Sequence, residues 1–397
     1  MANKNIMGCN NSKNNTPTNS TPSSIANAGG IWPKNRRSSN LELYRIICML
    51  MIVAHHYVVN SGLASADGPL LSDYSTLKSV YLTLFGAWGK TGINCFLMIT
   101  GYFMCTSKIT FRKFLKLMAQ IYFFRWVLFI VFLISGYETV SVRRFVDLVM
   151  PFWGFSTGFT SCFIAFWLTI PFLSILVQNL HKRQHQRLIL LALGLYTVFG
   201  SIPTFNITFN YITWFGIIFF VASYIRLHPH PIFERRQLWG WMTLLSFVLA
   251  MVSILVWRYL FKGRYVGYEF VYDSNKFFAV AVAVCSFLWF KNMNIRYNKV
   301  INSFGAGTFG VLLIHAGSSA MRTWLWEDTI DCIGHYSLPL RTLILYSVGT
   351  VLSIFIICNL IDQLRIATLE KWFFKWYDNK CATKVDDFIN KIFCGNQ

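Results

Sequence analysis

The stretch NLELYRIICMLMIVAHHYVVN, Asn40 to Asn60, decides the fold class. Its apolar residues run on without the strict alternation of a barrel strand. A run of about 18 or more such positions is what a helix needs to cross hydrocarbon while satisfying its own backbone. Working outward from it, the same kind of run recurs along the chain, and the predicted spans are 41–59, 80–104, 114–134, 161–180, 188–207, 211–225, 238–259, 277–290, 305–326 and 343–364. The expected fold is therefore all-α, a polytopic membrane helical bundle of about ten transmembrane helices.

Composition agrees with lipid as the main solvent. Of 397 residues, 55% are hydrophobic and 13% charged, where a soluble domain carries about 25% charged residues. The formal charge of +20 raises the question of nucleic acid, which needs basic residues gathered on one recognition surface. Here they sit between the apolar runs, as the positive-inside rule requires of cytoplasmic loops, so no nucleic-acid partner is expected. Cys48, Cys95, Cys162, Cys285 and Cys358 lie inside apolar runs and no CxxC occurs, which reads as core packing and not as a disulfide framework or a metal site.

Three regions follow. Residues 1–39 are rich in Asn, Ser, Thr and Pro and read as a disordered cytoplasmic tail without a cleavable signal peptide. Residues 40–366 form the membrane domain, and residues 367–397 an amphipathic cytoplasmic tail suited to the headgroup region. With ten spans the two termini and every even-numbered loop share one side, and that side collects about 24 Lys and Arg against about eight on the other. The expected location is the cell membrane, multi-pass, with both termini cytoplasmic.

Titratable groups inside spans are costly, so each is a candidate for function. Arg45 and His56 are eleven residues apart, which brings them to one helix face with about 16 Å of axial separation. Such a pair suits an anionic group held at the inner rim and an imidazole waiting deeper, near mid-bilayer, for proton transfer. The bland reading is equally open: Arg45 snorkels and His56 is a buried neutral histidine. His55 points about 100° away, so at most one of the two histidines shares the face of Arg45. The second span offers Lys90, Asn94 and the Thr100–Gly101 step, and the basic run that follows adds Lys108, Arg112, Lys113 and Lys116, together able to bind a highly phosphorylated ligand. Arg125 is deep in the third span and His315 midway along the ninth; an ion pair and a satisfied core histidine are their structural alternatives.

These residues, in this order, resemble the acyltransferase 3 family of bacterial membrane O-acyltransferases, which modify surface polysaccharides and related molecules. The resemblance rests on Arg45 to His56, on GINCFLMITGYF at 92–103, on FIAFWLTIPFLSILVQN at 163–179 with its internal Pro171, and on TFGVLLIH and IDQLR in the last two spans. It covers about 40–365, and one departure is Thr100 where the family usually has Ser. No separate extracytoplasmic hydrolase-like domain is present in the sequence.

The resemblance implies an acyl-CoA donor, acetyl-CoA first, with its phosphates near Arg45 and the cluster of Lys108, Arg112 and Lys113. His56 would be general base on the hydroxyl of a polysaccharide or glycolipid acceptor, and an Arg or the Asn94 amide would stabilise the oxyanion. The rival classes are a transporter or flippase for a polysaccharide precursor, for which no inverted repeat is visible, and a non-catalytic partner in an export complex.

Overall fold

The computed structural model describes residues 38–107, 109–150, 158–205 and 207–380. The expected N-terminal tail up to residue 37, the end of the C-terminal tail and Lys108 lie outside the described residues. The described residues are 77% helix and contain no strand.

Each predicted span carries helix, but among the described residues five helices are long and apolar enough to cross a membrane, or six if a bent pair is counted as one. The clean crossings are α1 (Ser39–Val59), α5 (Phe111–Ile134), α7 (Phe159–Asn179), α10 (Arg236–Leu260) and α15 (Leu340–Arg365). Between them lie the short α2 (Pro69–Ser72), α6 (Val142–Val149) and α8 (Lys182–Leu193). The second predicted span divides into α3 (Leu77–Gly86) and α4 (Gly89–Met104), because the chain turns at Ala87 and Trp88 between two glycines. α9 (Tyr211–Leu227) and α11 (Phe277–Lys291) are 17 and 15 residues long. At 1.5 Å per residue each falls short of a hydrocarbon core of about 30 Å.

The ninth predicted span departs furthest from a single rod. It forms α12 (Lys299–Ala306), α13 (Thr308–His315) and α14 (Ser319–Thr323), with a bend of 98° where α13 gives way to α14. The cause is local: Ala316, Gly317 and Ser318 interrupt the apolar pattern, and the Ser318 hydroxyl accepts from the Met321 N–H at 3.0 Å to start the next helix. The C-terminal segment is helical, continuing from α15 through a π turn, Ile366–Glu370, into α16 (Lys371–Lys380). It pairs antiparallel with the start of α5 through Gln120 to Asp362, Lys116 to Glu370 and Arg112 to Asp378.

Hydrogen bonds stitch one end of the bundle together and define it. The Asn40 amide donates to the carbonyls of Phe290 and Lys291 at 2.9 and 3.0 Å, tying the start of α1 to the end of α11. The Gln178 amide reaches the Cys105 carbonyl at 2.6 Å, and Arg226 donates to the Tyr102 hydroxyl at 3.1 Å. This is the basic end, with Arg112, Lys113, Arg226, Arg235, Arg236 and Lys291 at the helix boundaries there. Gly101 makes the α4–α9 contact possible: a Cβ there would lie 2.9 Å from the Ala222 side chain and 3.1 Å from the Phe219 Cα. Trp214, Phe215, Phe219, Phe166 and Phe287 fill the adjoining core.

At the other end Arg258, fully buried at the foot of α10, is clasped by neutral oxygens. Its guanidinium donates to the carbonyls of Tyr74 and Leu70 at 2.9 and 2.6 Å and to the Thr83 hydroxyl at 3.0 Å and the Ser79 hydroxyl at 2.5 Å. It thereby pins the loop between α1 and α3. Arg258→Met strands these acceptors, and a loss of about 3 kcal/mol is expected. The check is thermal unfolding of the detergent-solubilised protein, where an unchanged midpoint contradicts the pinning role.

Candidate active site

A cavity of about 400 Å³ opens at the end of the bundle opposite the basic end. Helix termini converge on it: the last turn of α1 brings His55 and His56, the first turn of α4 brings Gly89 and Lys90, and the start of α7 brings Thr160 and Ser161. Tyr211 enters at the start of α9, Leu313 and Gly317 come from the close of α13, and Arg125 and Arg322 from α5 and α14.

The histidines have a definite direction. His315 is fully buried, and its Nδ1 lies 2.5 Å from the Val311 carbonyl oxygen one turn back in α13. A carbonyl only accepts, so Nδ1 carries the hydrogen and, in the neutral ring, Nε2 is an acceptor. His56 Nδ1 lies 2.9 Å from that Nε2 and donates to it. The lone pair of His56 is consequently left on Nε2. The arrangement is that of a base oriented by a second group, in which the partner fixes tautomer and ring plane.

His55 also lines the cavity, which spans the angle between the two neighbouring side chains. Its Nδ1 donates to the Gly86 carbonyl at 2.6 Å, and its ring packs so tightly on Gly89 that a Cβ there would lie within 2.5 Å of it. Lys90 donates to the Tyr211 hydroxyl at 2.5 Å and sits 3.6 Å from the Asp273 carboxylate.

The other sequence candidates separate from this group. Arg45 belongs to the basic end: it pairs with Glu42 at 3.4 Å, three turns back along α1 from His56, and is not among the residues lining the cavity. A shared helix face did not make a shared cavity, because α1 lines the space only from Ile52 to His56, near the end far from Arg45. His56 occupies the last turn and not the middle of the helix. Arg112 holds Asp378 through two bonds of 2.9 Å at the basic end, where Lys113 also lies. Thr100 donates back to the Phe96 carbonyl at 2.9 Å within its own helix. Lys108 falls outside the described residues.

Asn94 is a structural tie and not a free oxyanion donor. Its amide hydrogens go to the carbonyls of Ser274 and Ala279 at 2.7 and 3.2 Å, while its oxygen accepts from the Trp214 indole at 2.9 Å. A lining residue that sequence reasoning did not single out is Arg322, which lies in α14 after the AGSS break and has no motif to announce it. For Asn94→Ala the expected result is a stability loss of about 2–3 kcal/mol from the stranded polar groups. Thermal unfolding in detergent checks it, and an unaltered midpoint combined with lost activity would instead return Asn94 to the chemistry.

A family model described as an acyltransferase domain matches residues 38–359. Among curated proteins and among solved structures, nothing matches the chain. The matched stretch takes in the broken α3–α4 and α13–α14 helices and both members of the histidine pair. With most of its length, and all of the cavity, inside that match, the chain belongs to the acyltransferase 3 family.

Proposed function

We propose that this membrane-type acyltransferase moves an acyl group, acetyl in the first instance, from acyl-CoA to a hydroxyl of a surface or exported polysaccharide or glycolipid. The observation that carries the reading is the hydrogen-bonded sequence Val311 carbonyl, His315, His56, which leaves an acceptor nitrogen at the cavity. His56 Nε2 takes the proton of the acceptor hydroxyl as its oxygen attacks the thioester carbonyl. His315 holds the resulting imidazolium through the Nδ1–H bond. When the carbon–sulfur bond breaks, the proton passes from His56 to the departing thiolate, and both histidines return to their starting tautomers.

In this reading the protein lies in the cell membrane with the basic end in the cytoplasm, in keeping with the positive-inside rule. The start of α1 and the end of α15 are both at that end, linked through α12 by Ser39 to Asn302 at 3.1 Å and Ser303 to Gln363 at 3.1 Å. The coenzyme phosphates approach Arg45 and the start of α5, and the acyl end reaches His56 about 16 Å further along α1. Arg45 and Arg112 already face Glu42 and Asp378, so phosphate binding there exchanges one anionic partner for another.

The test uses membranes containing the protein, radiolabelled acetyl-CoA and the host's surface glycan. His56→Ala is expected to lower label transfer by about 10³-fold and His315→Ala by about 10²-fold, the span of general-base and orientation effects. His55→Ala should remain within a few fold of the parent. Full transfer by a normally inserted His56→Ala protein removes the base assignment.

A further inference from the structure

The cavity carries more positive charge than its place in the fold accounts for. Lys90, Arg125 and Arg322 line it, and no Asp or Glu is among the lining residues. Asp273 answers Lys90 at 3.6 Å from outside the lining. Among the described residues neither Arg125 nor Arg322 makes a hydrogen bond or a close ion pair, and the carboxylate nearest in effect to Arg125, Asp147 of α6, acts from outside the lining and is offset by Arg144. Arg125 is half-buried in an apolar helix and Arg322 is exposed at the cavity mouth. A guanidinium kept inside a membrane-spanning helix is expensive unless it faces water or an anion.

Topology makes the point sharper. Basic residues gather at the opposite end of the bundle, and the positive-inside rule depletes them at this one. Two guanidiniums that line one cavity without a hydrogen-bonded carboxylate, and with no Asp or Glu in the lining, therefore ask for a ligand. Arginine's planar fork is matched by a carboxylate or a phosphate, each of which takes two parallel hydrogen bonds. The volume of about 400 Å³ is near the lower end of small-molecule sites, about 300–1,000 Å³. It has room for a sugar-sized group and a short acyl end.

We infer that the acceptor is acidic: Arg125 and Arg322 bind a phosphate or carboxylate on the sugar whose hydroxyl faces His56. This deepens the acyltransferase reading and rests on it for the word acceptor. The two cations then orient one hydroxyl toward the base, which selects among acceptors by charge as well as by shape.

The experiment reads binding and not transfer, so it can fail while acyl transfer stands. The full chain in lipid nanodiscs is treated with phenylglyoxal, and modification of Arg125 and Arg322 is followed by peptide mass spectrometry, with the clasped Arg258 as the unreactive control. Four probes compete: N-acetylglucosamine 1-phosphate, glucuronate, N-acetylglucosamine and coenzyme A. Protection of both arginines by either acidic sugar, with none from the neutral sugar or coenzyme A, is the expected result, and the better protector identifies the oxyanion. In Arg322→Gln, protection of Arg125 should need about tenfold more of that sugar, the effect of one lost charge-assisted contact. Protection by coenzyme A alone assigns the cations to the donor and overturns the inference. Equal protection by the neutral sugar, or no protection by any probe, overturns it too. A parent protein that still transfers acetyl in any of these cases leaves the enzyme reading untouched.

Discussion

The hydrogen bond from His315 to the Val311 carbonyl sets the direction of everything at the cavity. A backbone carbonyl cannot donate, and that single restriction passes through His315 to His56 and fixes which nitrogen is free. The bond exists because α13 is helical up to His315 and then stops. The bend of 98° that follows carries α14 away and lets Arg322 return to the same space. The interruption of the ninth span is thus part of the site and not a defect in a membrane helix.

The bundle has two chemically different ends, and the fold keeps them apart. One is closed by Asn40, Gln178 and Arg226, which bond helix ends to one another and leave a belt of basic residues around them. The other is open, with several helices ending short of one another around a polar cavity. Short helices such as α4, α9 and α11 make this possible, since a full-length rod at each position would fill the space with side chains. Polar groups needed only for architecture are satisfied internally, as with Asn94 and Arg258. Residues that line the cavity without a carboxylate bound to them, His56, Arg125 and Arg322, are those for which a ligand is the natural partner.

Much of this was legible in the chain and some was not, for reasons that particular residues show. Apolar runs located the long helices but missed the short α2 and α6, and they did not show continuity, because Gly86, Gly89 and Gly317 are as apolar as their neighbours and break a helix only when a partner such as the His55 ring claims the space a side chain would occupy. Helical periodicity put Arg45 and His56 on one face, yet α1 lines the cavity only from Ile52 to His56. Periodicity also separated His55 from His56, while a cavity at a helix terminus takes in both. Asn94 looked equally able to serve chemistry or structure; only its three bonded neighbours decide.

What the sequence determined by itself was the membrane, the helical class, the clustering of basic residues in particular loops and the resemblance in order of motifs that the family match bears out. These depend on composition and on spacing along one chain, which local physics reads directly. What tertiary structure decided was partnership: that His315, 259 residues from His56, is its hydrogen-bond partner, and that Arg322 joins Arg125 across the same space. Such pairings depend on how separate helices pack and bend, and no periodicity within a helix encodes the neighbour that another helix will bring.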